Sequence, residues 1–181
     1  MKKSAPTRSA WGRISLLALD VDGVLTDGTV AINSDGTETK RFSIIDGLGL
    51  ILLRSAGVEV AWISGRRSET TILRAAELRI PNVIQGRHDK LEALTELAGA
   101  LGFELGECAY MGDDFIDAPA IAACGIGISV PTALPAALAA ARYVTKRQAG
   151  YGAVREICDL ILDARGCPSG NNARPKRTKT P

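Results

Sequence analysis

From Ile14 onward, short apolar runs alternate with segments of helical period, and that alternation limits the chain to few folds. "ISLLALDV", "VEVAWIS", "NVIQG", "CAYMG", "IGISV" and "ARYVT" read as strands. Helices are predicted over "DGLGLILLRSAG", closed by Gly57, over "RRSETTILRAAELR", and over "DKLEALTELAGALG", where Leu91, Leu94, Leu97 and Leu101 make one apolar stripe. Further helices are predicted near "DAPAIAAC", "ALPAALAA" and "GAVREICDLIL". Repeated strand–helix units of this kind build a doubly wound, mostly parallel α/β sheet of the Rossmann type. Aromatic residues are only 4% against 46% hydrophobic overall, so the core must be Leu, Ile, Val and Ala, as in a sheet covered on both faces. One departure interrupts the alternation: "TVAINSDGTETKRFS" has β-formers on either side of the turn Ser34–Thr37 and reads as a hairpin flap over residues 29–43. One domain over residues 14–163 is expected, preceded by a basic flexible segment 1–13 and followed by a disordered tail 164–181.

Several function classes drop out at this stage. The formal net charge of +2 is concentrated in "MKKSAPTRSAWGR" and "NNARPKRTKTP", which leaves the body without a basic face for nucleic acid. Cys108, Cys124, Cys158 and Cys167 are scattered with no C-x-x-C pair, so reduced thiols are expected rather than a zinc site or disulfide framework. The apolar run after the basic start is interrupted by Asp20 and Asp22, with no small-residue cleavage site, and no segment approaches a membrane span. A cytoplasmic location with no membrane partner follows as the expectation.

The chemistry lies at the strand ends. In a doubly wound sheet, ligands sit beyond the carboxyl ends of the strands, and each polar outlier falls at such an end. The first strand ends at Asp20 and Asp22, the second at Ser64-Gly65-Arg66, the third is followed by Lys90, and the fourth ends in "GDDFID" with Asp113, Asp114 and Asp117. Clustered carboxylates in a partly dry cleft stay ionised only beside a cation, and an oxygen-only donor set favours Mg²⁺. Lys90 and Ser64 are placed to bind phosphate oxygens, an aspartate between them can attack phosphorus, and a second carboxylate two residues on can move protons. Taken alone, Ser64 would read as a helix N-cap, and Arg66 would pair with a surface acid such as Glu69; their place in this set gives them a functional reading. His88 reads as a solvated loop residue.

Together "DVDGVLTDG", "ISGR", Lys90 and "GDDFID" resemble the four motifs of the haloacid dehalogenase superfamily phosphatases. "DGLGL", "ISGRRS", "QGRHDK", "GDDFIDAPA" and "GYGAVREICDLIL" extend the likeness, over Leu16 to Leu162, to a branch that acts on phosphates of acidic sugars. By position, the resemblance implies Asp20 as nucleophile, Asp22 as general acid/base with its backbone carbonyl on the metal, and Asp113 as the metal carboxylate. It implies Ser64, Gly65, Arg66, Thr26 and Lys90 as the substrate-binding set, with Lys90 also steadying the nucleophile. Of Asp114 and Asp117, one is expected to orient Lys90 or metal-bound water and the other to cap a helix. The implied reaction is Mg²⁺-dependent hydrolysis of 3-deoxy-D-manno-octulosonate 8-phosphate for lipopolysaccharide synthesis. The alternatives are a nonulosonate 9-phosphate as substrate, or a non-catalytic module that binds Mg²⁺ and a phospho-sugar. The intervals Asp20 to Ser64 and Ser64 to Lys90 leave no room for a cap domain. The resemblance therefore implies a capless homotetramer whose hairpins pack together and whose active sites are completed by neighbouring subunits.

Overall fold

Strand β1 (Leu16–Leu19) has every residue buried and lies inside a six-stranded sheet. The computed structural model describes residues 4–167. After helix α1 (Arg8–Gly12) and β1 come a hairpin of β2 (Ala31–Ile32) and β3 (Glu38–Thr39), then α2 (Ile44–Ser55), β4 (Glu59–Ser64), α3 (Glu69–Glu77), β5 (Asn82–Gln85) and α4 (Lys90–Leu101). The second half comprises β6 (Cys108–Met111), α5 (Ala118–Ala123), β7 (Ile126–Ser129), α6 (Pro135–Ala140), β8 (Tyr143–Val144) and α7 (Ala153–Ala164). The sheet order is β5-β4-β1-β6-β7-β8 and every pairing in it is parallel. The chain thus builds outward from β1 through β4 to β5, then returns to the other side of β1 for β6, β7 and β8. That reversal is the switch point at which doubly wound sheets leave a crevice. Leu19 stands opposite Trp62 on β4 and Met111 on β6, so the residues following these three strands emerge side by side.

Strand parity divides the core. Leu17, Leu19, Val60, Trp62 and Met111 face one layer, with Leu50 and Leu53 of α2 and Val154, Ile157 and Ile161 of α7. Leu16, Ala18, Ala61, Ile63 and Tyr110 face the other, with Ala93 and Leu94 of α4 and Ala120 and Ile121 of α5. Of the expected α4 stripe, Leu94 is fully buried, while Leu91, Leu97 and Leu101 are partly buried against the same layer. Gly57 has φ +77 and follows α2 as expected, the left-handed conformation that glycine adopts without a Cβ clash.

The ends of the chain differ from expectation. Residues 8–12 form a helix capped by Thr7, and Trp11 is buried edge-on against Tyr143 at 5.5 Å. The basic run includes one large apolar side chain, and its burial fixes what charge alone marked as flexible. At the other end α7 reaches Ala164, and Arg165 donates to the carbonyls of Ile14 at 2.7 Å and Ala56 at 3.3 Å. The rest of the expected tail, residues 168–181, lies outside the described residues. The hairpin is present but short, its turn closed by Asn33 N–H donating to the Thr37 carbonyl at 2.8 Å, with Gly36 at φ +84. Among the described residues no helix is long and apolar enough to cross a membrane.

Within the layer shared by α2 and α7, one helix is capped by a side chain of the other. Gly152 stands at the N-cap of α7 and has no side chain to offer. Asp46 in the first turn of α2 takes its place, accepting from Arg155 N–H at 2.7 Å and Gly152 N–H at 3.2 Å while almost fully buried. Asp46→Ala should therefore destabilise the fold by about 2 kcal/mol and lower Tm by about 6 °C, because it uncaps α7 and leaves buried amides unpaired. Thermal and urea unfolding followed by circular dichroism check this, and an unchanged urea midpoint would contradict it.

Candidate active site

Asp20 follows β1 with the parity of Leu16 and Ala18, toward the layer that contains α4. Its N–H donates to the Met111 carbonyl at 2.9 Å, so β6 fixes its backbone. Lys90, the first residue of α4, is 1% exposed and donates to Asp20 Oδ1 at 2.6 Å and to the Ile63 carbonyl at 2.5 Å. Residues from β1, β4 and α4 thus meet at one buried ammonium. Asp113 comes from the loop after β6, where it lies against the backbone of Gly23. A Cβ at position 23 would be 2.1 Å from Asp113 Oδ2, and Gly23 also has φ +88, so only glycine fits there.

Oxygens of Asp20, Asp113 and Asp117 all lie within 4.8 Å of one another. Asp117 differs from the other two because both its oxygens are engaged. Oδ1 accepts from the Tyr110 hydroxyl at 2.7 Å and Oδ2 from the amides of Asp113 at 3.1 Å and Asp114 at 3.0 Å. Asp117 therefore shapes the loop that presents Asp113, and stands 3.8 Å from Lys90 Nζ. Asp113 Oδ1 is buried and accepts no hydrogen bond. Burial, then the charges of Asp20, Asp117 and Asp114, push Asp113 up to about 8. Burial also pushes Asp20 up to about 6, against the lowering effect of Lys90. An unpaired buried carboxylate oxygen beside a second carboxylate, with hard oxygen donors only, fits a small divalent cation such as Mg²⁺.

The remaining predicted residues divide. Ser64 ends β4, is buried, and its Oγ accepts from Arg66 N–H at 3.2 Å, which leaves its hydroxyl proton for a ligand. Gly65 packs beside the exposed His88, whose ring a Cβ at position 65 would approach to 3.0 Å. Asp22 has its carboxylate outside the cluster. Lys40 Nζ is 2.7 Å from Oδ1 and donates to Oδ2 at 3.0 Å, the better aligned of the two contacts. Arg66 pairs with Glu38 of β3 at 2.9 Å, not with Glu69. Thr26 is placed differently from expectation. It is fully buried, and its hydroxyl accepts from the amides of Gly23 and Gly28, each at 3.3 Å, so it holds the loop shape. Asp114 accepts from the neighbouring Phe115 amide, and no side chain caps α5, so the expected helix cap is absent.

Lys40, Glu38 and Tyr110 were missed from the sequence. Glu38 accepts from Arg66, Ser68 and Thr70, tying the hairpin to the β4–α3 loop. The signal is the spacing of Glu38 and Lys40, two apart at the end of the hairpin's second strand and so on one side, but nothing in the sequence says which loops that side meets.

The family model of haloacid dehalogenase-like hydrolases matches residues 61–157, a stretch that includes Ser64, Lys90, Asp113 and Asp117 of this site. The chain is 44% identical over 149 residues, 82% of its length and 80% of the relative's, to 3-deoxy-D-manno-octulosonate 8-phosphate phosphatase of Yersinia pestis. The crystal structure of that phosphatase from Moraxella catarrhalis, in complex with magnesium, phosphate and KDO, superposes with a TM-score of 0.86 at 48% identity, covering 88% of this chain and 91% of that one. The cobalt-bound form of the Haemophilus influenzae phosphatase superposes with a TM-score of 0.83 at 38% identity, covering 87% and 92% of the two chains. The chain belongs to the haloacid dehalogenase-like hydrolases, and within them to the 3-deoxy-D-manno-octulosonate 8-phosphate phosphatases.

The crowded carboxylates make the metal-free protein sensitive to pH. An unfolded aspartate titrates near ~4, whereas Asp20 and Asp113 hold protons up to about 6 and about 8. Between those limits the folded state binds more protons than the unfolded one, so stability falls as pH rises. In chelator, Tm should be higher at about pH 5.5 than at about pH 8, and Asp113→Asn should flatten that dependence. Equal pH slopes for wild type and Asp113→Asn would refute the assignment.

Proposed function

We propose that this chain is a Mg²⁺-dependent phosphomonoester hydrolase that works through an aspartyl-phosphate on Asp20, with 3-deoxy-D-manno-octulosonate 8-phosphate as substrate. The observation that carries the reading is the buried Lys90–Asp20 pair beside the unpaired oxygen of Asp113 at the switch point of the sheet. Asp20 attacks phosphorus as the bond to the sugar oxygen breaks, and Asp22 gives that oxygen its proton. The same carboxylate then takes a proton from water, which attacks the phosphoryl group and releases phosphate and Asp20. Ser64 and Lys90 hold phosphoryl oxygens, and Lys90 keeps one Asp20 oxygen fixed and the other available. Bound by Asp20, Asp113 and the Asp22 carbonyl, Mg²⁺ supplies the positive charge that lets these carboxylates stand beside a phosphate dianion.

An acidic sugar also carries a carboxylate, and Arg66 at the neighbouring strand end offers a forked donor for it. Glu38 now holds that guanidinium, so substrate binding has Arg66 exchange one carboxylate for another. The work of the enzyme belongs in the cytoplasm, in lipopolysaccharide synthesis. The proposed assembly is a homotetramer with sites completed by neighbours. Exposed apolar side chains support it: Ile32 on the hairpin at 74%, Ile44 at 82% and Leu48 at 47% on α2. Light scattering showing an active monomer at micromolar concentration would remove the assembly.

Phosphate release from the octulosonate 8-phosphate, a nonulosonate 9-phosphate and glucose 6-phosphate tests the reading. The first should be preferred, chelation should abolish turnover and Mg²⁺ restore it, and Asp20→Asn should lower kcat by about 10⁴-fold. Arg66→Ala should weaken the acidic sugars and spare glucose 6-phosphate. Activity in rigorous chelation would defeat the metal assignment. Preference for the nonulosonate would move the substrate, and equal treatment of all three would leave only a general phosphatase.

A further inference from the structure

The reaction scheme leaves one buried charge on the hairpin without a role. β2 is exposed, yet the Lys40 side chain beside β3 has no solvent access and contacts both oxygens of Asp22, at 2.7 and 3.0 Å. An ammonium is taken out of water only where a partner offsets its charge, and here the partner is the group read above as the proton carrier. Glu38, two residues earlier and therefore on the same face, is held by Arg66, Ser68 and Thr70. One side of β3 and the residue after it thus lies across both the Asp20–Asp22 loop and the loop after β4, and the attachment at Glu38 fixes where Lys40 can reach. Burial removes most of the conformational freedom a lysine would have at the surface.

We propose that Lys40 is a positioning residue for the reaction: it fixes the direction of the Asp22 carboxylate, keeping it apart from the Asp20–Asp113 cluster and ready for the leaving-group oxygen. The proposal rests on the reading of Asp22 as proton carrier. Removal of Lys40 frees Asp22 to turn toward solvent or toward the cluster. The loss then falls on steps in which a proton moves: protonation of the sugar alkoxide as its bond to phosphorus breaks, and deprotonation of the attacking water. Attack of Asp20 on an ester whose leaving group departs as a stable anion needs no proton and is spared.

Lys40→Met, Asp22→Asn and the double variant distinguish these steps, with circular dichroism confirming the fold. Lys40→Gln is the second single variant should the methionine form not fold. With the sugar phosphate, Lys40→Met should lower kcat by about 100-fold and change KM by less than about threefold. With p-nitrophenyl phosphate, the pre-steady-state burst of p-nitrophenolate should stay within about threefold of wild type while steady-state turnover falls. In the Asp22→Asn background, Lys40→Met should cost nothing more, because its effect passes through Asp22. Equal loss of burst and sugar turnover, a further loss in the double variant, or no loss at all would overturn the proposal. If Asp22→Asn itself fails to separate the two substrates, the proton-carrier reading falls and takes the Lys40 role with it. If Asp22→Asn separates them and Lys40→Met does not, only the Lys40 role falls.

Discussion

The site depends on a single buried ion pair, Lys90 with Asp20. Burial alone drives Asp20 toward its neutral form, and a neutral carboxyl is a poor nucleophile. Lys90 opposes that effect from 2.6 Å, and it is held there by a second hydrogen bond to the Ile63 carbonyl at the end of β4. A buried pair of this kind contributes little net stability, since desolvation offsets much of the attraction. Its value here is chemical, because it keeps one of several crowded carboxylates ionised and fixed in direction. Asp113 has no such partner, which explains why its titration is displaced further than that of Asp20 and why the site matches a divalent cation.

Around that pair, the protein uses its backbone to bring negative groups closer than their charges favour. Tyr110 and Asp117 brace the loop after β6, with the Asp117 carboxylate accepting two backbone amides of that loop. Gly23 then permits Asp113 to touch the loop after β1, and Thr26 closes that loop from inside through the amides of Gly23 and Gly28. Substitution at Gly23 would push against Asp113 itself, so loop shape and metal affinity are bound together.

The hairpin adds a second level of organisation. Two strands of two residues each are too small to be stable by themselves. Their place is set by Glu38 on Arg66, Ser68 and Thr70, by Lys40 on Asp22, and by Arg41 on Asp27 at 2.7 Å. The exposed Arg41–Asp27 pair contributes little. The buried Lys40 contact is different, because breaking it would strand a charge away from water. Attachment of the flap is therefore linked to the state of the two functional loops it crosses.

Local pattern along the chain dictates the layered α/β fold, the order of its sheet strands and the edge at which chemistry occurs. Those follow from local periodicity and from polar residues placed at the ends of apolar runs, as at Asp20, Ser64 and Asp113. It also determined the chemical type of the site, because a cluster of carboxylates with one lysine and no histidine or cysteine has few stable uses. Which polar groups face one another is set by long-range packing. Lys40 meets Asp22 only because β3 is laid over the Asp22 loop, and Arg66, read from the sequence as a substrate ligand, meets Glu38 from 28 residues upstream. Thr26 reads as a ligand hydroxyl until the loop closes around it, and the basic N-terminus reads as solvated until Trp11 finds α7 and Tyr143. Each of these depends on long-range packing that orients an element about its own axis, and no pattern of neighbours along the chain encodes that angle.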